Sequence, residues 1–210
     1  PMAHPILHHR TPEYEALIAE VREGLKVLFQ TTEEVLLFAA SGTGGMEAAV
    51  VNTLSPGEKA LVIRGGKFGE RWGEICQAYG VRVHPIDSPW GKPLDLKQVK
   101  ETLSKNSKIK VVFSTLCETS TGVVYDIQGL KQAVGIAGPL LVVDAISGLG
   151  AEPFAMDEWG VDVTVSGSQK GFMLPPGLAF IALSERAWQA VEKSKSPKYY
   201  FDLKLAREAW

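Results

Sequence analysis

The sequence predicts an α/β fold: one mostly parallel sheet with helices on both faces. Three observations carry that expectation. The strand candidates are apolar throughout rather than alternating, which is how strands covered on both faces read. They take turns with helical segments, the order that builds a parallel sheet. No internal repeat, low-complexity stretch or Gly/Ser linker divides the 210 residues, so one α/β domain with one sizeable core is expected.

Thr11-Pro12-Glu13 opens the first helix: a cap, a proline in the first turn, then an acid near the positive end of the dipole. Leu17, Val21, Leu25 and Leu28 follow at helical spacing and carry it from 12 to about 30. EVLLFAA (34–40) is a strand, followed by glycines and a second helix from Met46 to Leu54. KALVIRG (59–65) is a strand, and 67–79 a helix ending at Gly80. VRVHPI is a strand and DLKQVKETLSKN an exposed helix. IKVVFSTL (109–116), a helix after Asp126 and PLLVVDA (139–145) continue the alternation. Strand 161–166, strand GLAFIALS (177–184) and a helix opened by Ser184-Glu185 complete it.

With 45% hydrophobic and 22% charged residues, the chain reads as an ordinary soluble globular one. Its 22 basic and 24 acidic residues give a net charge of −2, with no basic field for nucleic acid and no acidic tail. No apolar run reaches the roughly 18 residues that span a bilayer, and no signal-peptide h-region is seen. Cys76 and Cys117 show neither metal-ligand spacing nor a disulfide framework, so a reducing cytoplasm is expected. The sequence opens on Pro1 and closes in FDLKLAREAW, a helix still in progress, so a fragment or processed piece is expected.

In open α/β sheets ligands sit beyond the carboxyl ends of the strands. The residues there are Ser41-Gly42-Thr43-Gly44-Gly45, Gly65-Gly66-Lys67-Phe68-Gly69, Cys117-Glu118-Thr119-Ser120-Thr121-Gly122, Asp144-Ala145-Ile146 and Ser168-Gln169-Lys170. The first glycine loop opens a helix, whose free amides and dipole suit a phosphate. It is not a Walker loop, having no Gly-Lys pair with Ser or Thr at the required spacing, and not a dinucleotide fingerprint, since Glu47 stands where the third glycine belongs. By itself it is as consistent with a tight strand-to-helix turn. Asp144 closes a buried run, where an acid needs a cationic or donor partner, or serves as a cap. Lys170, among glycines and serines, is read as half-buried, and a neutral amine is the nucleophile that makes Schiff bases.

Hydrolase motifs fail: GSQKG is not G-x-S-x-G, and Gly167 removes an S-x-x-K pair. His4, His8, His9 and His84 stand away from the loop edge, and no metal cluster is expected. An acid, a lysine and a phosphate seat on one edge specify pyridoxal 5'-phosphate. The lysine holds the aldehyde, the acid keeps the ring nitrogen protonated and the helix terminus holds the phosphate.

The stretches HHRTPEYEALIAEVREGL, SGTGGMEAAV, GGKFGERW, ETSTGVVYD, VVDAISGLG and SGSQKGFMLPPGLAF resemble the large domain of class V (fold type I) pyridoxal-phosphate aminotransferases, the branch of alanine– and serine–glyoxylate aminotransferases. The separation of acid and lysine, 170 − 144 = 26 positions, fits that family. The resemblance implies that Lys170 carries the cofactor and Asp144 partners its pyridine nitrogen. It implies that Phe68 and Ile146 flank the ring, that Thr119 stands beside it, and that Gly42, Thr43, Gly44 and Gln169 meet the phosphate. It further implies a PLP-binding large domain over 1–195. Residues 196–210 would begin the connection toward a small C-terminal domain, whose carboxylate-binding arginine and cross-dimer phosphate contact lie past Trp210. The family's N-terminal segment would precede the HHR run. His8, His9 and Arg10 are expected to serve helix entry and dimer packing rather than substrate.

The implied activity is transamination between a small amino acid (alanine, serine or an aspartate-like donor) and a small 2-oxo acid such as glyoxylate or pyruvate, in a cytoplasmic homodimer. Two rivals stand beside it. A cysteine desulfurase or lyase is opposed by Gln169, where those relatives usually have histidine, and by the absence of cysteine after Cys117. The other rival is a non-catalytic cofactor-binding or interaction fragment.

Overall fold

The computed structural model describes residues 5–208; His4 lies outside them, as do Pro1 and Trp210. Seven strands form one sheet: β1 (Val35–Phe38), β2 (Lys59–Arg64), β3 (Arg82–Asp87), β4 (Ile109–Thr115), β7 (Leu140–Asp144), β8 (Val163–Gly167) and β9 (Ala179–Leu183). The order across the sheet is β1-β9-β8-β7-β4-β2-β3. Pairing is parallel from β3 through β2, β4 and β7 to β8. Only β9 runs against its neighbours β8 and β1. It follows β8 through a loop with no crossover helix, and parallel strands need such a crossover. The mostly parallel α/β fold is the observed one.

Each strand feeds two cores by alternation. Leu36, Val62, Phe113, Val142, Val165 and Ile181 face one side, where α2 (Gly42–Thr53), α3 (Lys67–Ala78) and α7 (Glu185–Val191) cover them. Leu61, Val112, Leu141, Val143 and Phe180 face the other, under α1 (Pro12–Phe29), α4 (Leu96–Lys105), α5 (Ile127–Val134) and the short α6 (Met156–Trp159). Because both faces are apolar, the strands read as unbroken hydrophobic runs. Trp72 of α3 stacks on Phe113 at 4.6 Å between centroids and donates its indole N–H to the Ser114 carbonyl at 3.1 Å.

Local chemistry sets the helix starts. Thr11, Ser41, Asp95, Asp126 and Ser184 each accept a first-turn amide through the side chain. The second helix therefore begins at Gly42 rather than Met46. The glycines expected as a loop are its first turn, because Ser41 caps it. A small hairpin of β5 (Cys117–Glu118) and β6 (Val123–Val124), closed at Gly122 with φ +72°, was not expected, nor was α6. The segment after α7 folds back on the first core and ends in α8 (Leu203–Glu208). Asn52 Nδ2 donates to the Phe201 carbonyl at 2.6 Å, the Leu203 amide donates to Asn52 Oδ1 at 3.2 Å, and Phe201 packs edge-on to Phe38 at 5.9 Å. Among the described residues, no helix is long and apolar enough to cross a membrane.

Candidate active site

The parallel strands end together, so the segments after Phe38, Arg64, Thr115, Asp144 and Gly167 share one edge of the sheet. Asp144, 4% exposed, sits at its centre, in register with Thr115 on β4 and Val165 on β8. Its Oδ1 accepts the Ile146 amide at 2.8 Å. Burial pushes the carboxyl up to about 7; the Ile146 amide opposes that rise, the Glu118 charge adds to it, and Arg71 and Lys170 oppose it from farther away. A buried acid so displaced suits a cationic donor as partner.

The amide that Asp144 accepts belongs to a residue that also shapes the neighbouring helix. Ile146 lies against Gly42, where an added Cβ would overlap its side chain, and its Cγ2 is 3.6 Å from where a Cβ on Gly167 would lie. Gly42 opens α2. Ser41 Oγ accepts the Gly44 amide at 3.4 Å, and the Ser41 carbonyl accepts that of Gly45 at 3.3 Å. Among the described residues, the Gly42 and Thr43 amides have no acceptor, and the first turn of α2 holds no acid. The free amides, the positive end of the dipole and a hydroxyl at Thr43 make an anion seat. Gly44 has no room for a side chain, since an added Cβ would stand 2.9 Å from Ala40 Cβ and Phe201 Cζ.

The second glycine loop is closed from within. Gly66 offers α3 no side-chain cap, and the buried Glu118 supplies one from β5, accepting the Phe68 amide at 3.3 Å and the Gly69 amide at 2.9 Å. Phe68 is thereby fixed at the start of α3, half-buried, with the Arg71 guanidinium 4.8 Å from its ring centroid. Arg71 Nη1 donates to Thr43 Oγ1 at 3.1 Å, so a cation stands beside the α2 terminus. Sequence reasoning placed Glu118 on this edge without a role and passed over Arg71. The spacing 68 to 71 is one helical turn, a signal that could have placed Arg71 beside Phe68.

Lys170 is exposed rather than half-buried. Ser168, 1% exposed, is the residue drawn inward. Its Oγ donates to the Pro175 carbonyl at 2.7 Å and accepts the Leu178 amide at 3.3 Å, while Lys170, two residues on, is left outward. Gly171 presses on the Leu149 carbonyl, tying the lysine loop to the chain that follows Asp144. Gln169 carries a buried Oε1 with no hydrogen-bond partner among the described residues, near Gly167. Thr119 Oγ1 shares a 2.7 Å hydrogen bond with Ser147 Oγ, which donates to the Cys117 carbonyl at 3.0 Å. His8, His9 and Arg10 are exposed and form a local turn before α1, the Arg10 amide donating to His8 Nδ1 at 3.2 Å; His84 lies on the edge strand β3. Among the described residues, no group of three or more His, Cys, Asp or Glu side chains could hold a metal ion.

The aminotransferase class-V family model matches residues 2–200. Over 203 residues the chain is 47% identical to a protein named soluble hydrogenase, small subunit, of Synechococcus sp., covering 95% of this chain and 53% of that one. It is 44% identical to the L-aspartate–glyoxylate aminotransferase of Paracoccus denitrificans, covering 95% of this chain and 52% of that enzyme. The crystal structure of alanine–glyoxylate aminotransferase from Nostoc sp. superposes with a TM-score of 0.94 at 30% identity, covering all of this chain and 56% of that one. The chain thus spans about half the length of the curated relatives it matches.

Proposed function

The chain belongs to the class-V aminotransferase family, and from that premise we propose that it binds pyridoxal 5'-phosphate and takes part in transamination between a small amino acid and a small 2-oxo acid such as glyoxylate or pyruvate. Alanine, serine or an aspartate-like acid is the amino donor; the Paracoccus relative is named for aspartate and the Nostoc one for alanine. The observation that carries this reading is the buried Asp144, tied through Ile146 to the open terminus of α2 on the edge that also bears the lysine loop.

The residues suit that cofactor. Asp144 needs a cationic N–H, and the pyridinium nitrogen provides one. The Gly42 and Thr43 amides need an acceptor, and the orphaned Gln169 Oε1 belongs to a carboxamide that also carries N–H donors. Gly42, Thr43, Gly44 and Gln169 would hold the phosphate, with Gly44 also keeping the turn small. Phe68 and Ile146 would flank the ring, with Thr119 beside it. Lys170 would hold the aldehyde. When bound, the cofactor supplies an electron sink for the carbanion left when the substrate loses its α-proton.

The protein's own work is proton management and orientation. Burial raises the Asp144 carboxyl to about 7, so that about half of it is protonated at pH 7, and a cationic partner would return it to the carboxylate, which then holds the proton on that partner. Lys170 Nζ, at an exposed position, would serve as the base that takes the substrate's α-proton and as the acid that gives it back. Phe68 and Ile146 fix the plane in which these transfers occur. The same reading makes the enzyme a cytoplasmic homodimer.

Borohydride reduction of the chain with pyridoxal phosphate, followed by peptide mass mapping, tests the assignment. The pyridoxyl group is expected on Lys170. Label on another lysine overturns it.

A further inference from the structure

Glu118 is fully buried, and its carboxylate spends its acceptors on one small piece of backbone. Oε1 accepts the Phe68 amide at 3.3 Å, the Ser120 amide at 3.3 Å and the Ser120 hydroxyl at 2.6 Å, and Oε2 accepts the Gly69 amide at 2.9 Å. Ser120 Oγ in turn accepts the Lys67 amide at 3.0 Å. The amides of Lys67, Phe68 and Gly69, the first turn of α3, are therefore all tied to residues 118–120. Gly66 is kept free of a side chain by the same group, since a Cβ there would stand 2.5 Å from both Cγ and Cδ of Glu118.

A buried carboxylate is costly unless its lone pairs are filled, and here they are filled by amides at a helix N-terminus. Helix capping alone asks for less: a Ser or Asp at position 66 would do it locally, as at the other capped helices of this chain. What the remote carboxylate adds is a fixed relation between α3 and the hairpin that bears Thr119. We propose that Glu118 is a positioning residue, which holds the first turn of α3 so that the Phe68 ring meets the cofactor ring in stacking register. Arg71, against Phe68 and bonded to Thr43, braces the ring from its own helix. The inference rests on the cofactor reading above.

A double-mutant cycle separates positioning from simple capping. Pyridoxal phosphate dissociation constants are measured by absorbance titration for the unsubstituted chain, Glu118→Gln, Phe68→Ala and the pair. Glutamine keeps the size but turns an NH2 donor toward the amides. Glu118→Gln is expected to weaken binding about tenfold in the parent and less than about twofold once Phe68 is alanine. The circular dichroism of the bound cofactor is expected to fall with it. Equal losses in both backgrounds overturn the proposal. Should Glu118→Gln fail to accumulate folded, Ser120→Ala, at an exposed position, runs the same cycle with the same expected non-additivity. If the unsubstituted chain binds no pyridoxal phosphate, the cofactor reading fails, and this proposal falls with it. If it binds and the cycle is additive, only the proposal falls.

Discussion

Gly42 and Ile146 are in such close contact that the first residue of α2 has no room for a side chain. An added Cβ would stand 2.9 Å from Ile146 Cγ1 and closer still to Cδ1. The Ile146 amide meanwhile donates to Asp144 at 2.8 Å. The open helix terminus and the buried acid are thus one mechanical unit, joined through a single aliphatic side chain.

Gly42→Ala should destabilise the chain by about 1–3 kcal/mol through overpacking. The first atom it meets is Ile146 Cδ1, which valine lacks. Gly42→Ala with Ile146→Val should therefore recover part of the loss in urea denaturation. No recovery would show that some other contact limits the site.

Asp144 gives the chain, without added cofactor, a distinctive pH dependence. Its carboxyl is raised from 3.8 in the unfolded reference to about 7 in the fold. Between those values the folded state binds more protons than the unfolded one, so stability falls as pH rises through the window. The penalty is absent below the lower value and complete above the upper. Asp144→Asn, which does not titrate, should match the parent near pH 4 and exceed it near pH 8 by an amount on the order of a few kcal/mol. Parallel stability curves for the two would mean that Asp144 is ionised at no cost.

Much of this was legible because the chemistry is local. Apolar runs such as Leu140–Val143 fix the sheet, Ser and Asp mark helix starts, and an acid and a lysine after strands mark the edge. What escaped the sequence depends on contacts across it. Glu118 caps a helix 50 residues away, and Arg71 reaches Thr43 across 28. Lys170 is exposed because Ser168, two residues before it, takes the inward position, a choice that flanking composition does not determine. The glycines at 42–45 suit a loop or a helical first turn equally, and only the Ser41 cap decides.

Two glycines of α3 should behave in opposite ways. A Cβ on Gly69 would meet β2 backbone, the Ile63 carbonyl oxygen at 2.5 Å and the Arg64 Cα at 3.0 Å, and backbone in a central strand cannot yield. Gly69→Ala should cost about 1–3 kcal/mol or more. Gly73, one turn on, has only the Arg64 Cδ at 4.0 Å, so Gly73→Ala should be neutral or stabilising by up to about 1 kcal/mol through helix propensity. Thermal unfolding of the two variants side by side checks this, and equal effects would refute the close approach of α3 to β2.

The anion seat makes the sharpest demand on the cofactor reading. Gly44 is a poor probe, because a side chain there meets Ala40 and Phe201 and would report packing. Thr43 and Arg71 are better, since their hydroxyl and guanidinium are bonded to each other beside the free amides of α2. Thr43→Val removes the hydroxyl, and Arg71→Met removes the charge while keeping a chain to lie on Phe68. Hydrogen bonds to a charged group contribute roughly 1.5–3 kcal/mol, so each change should weaken pyridoxal phosphate binding by about 10- to 100-fold. Pyridoxal, which carries no phosphate, never uses the seat, and its affinity should change by less than about twofold. Binding of both ligands is to be titrated against each variant at one pH and salt concentration. Equal losses for the two would place the phosphate away from α2, and the assignment of Gly42 and Thr43 would fall.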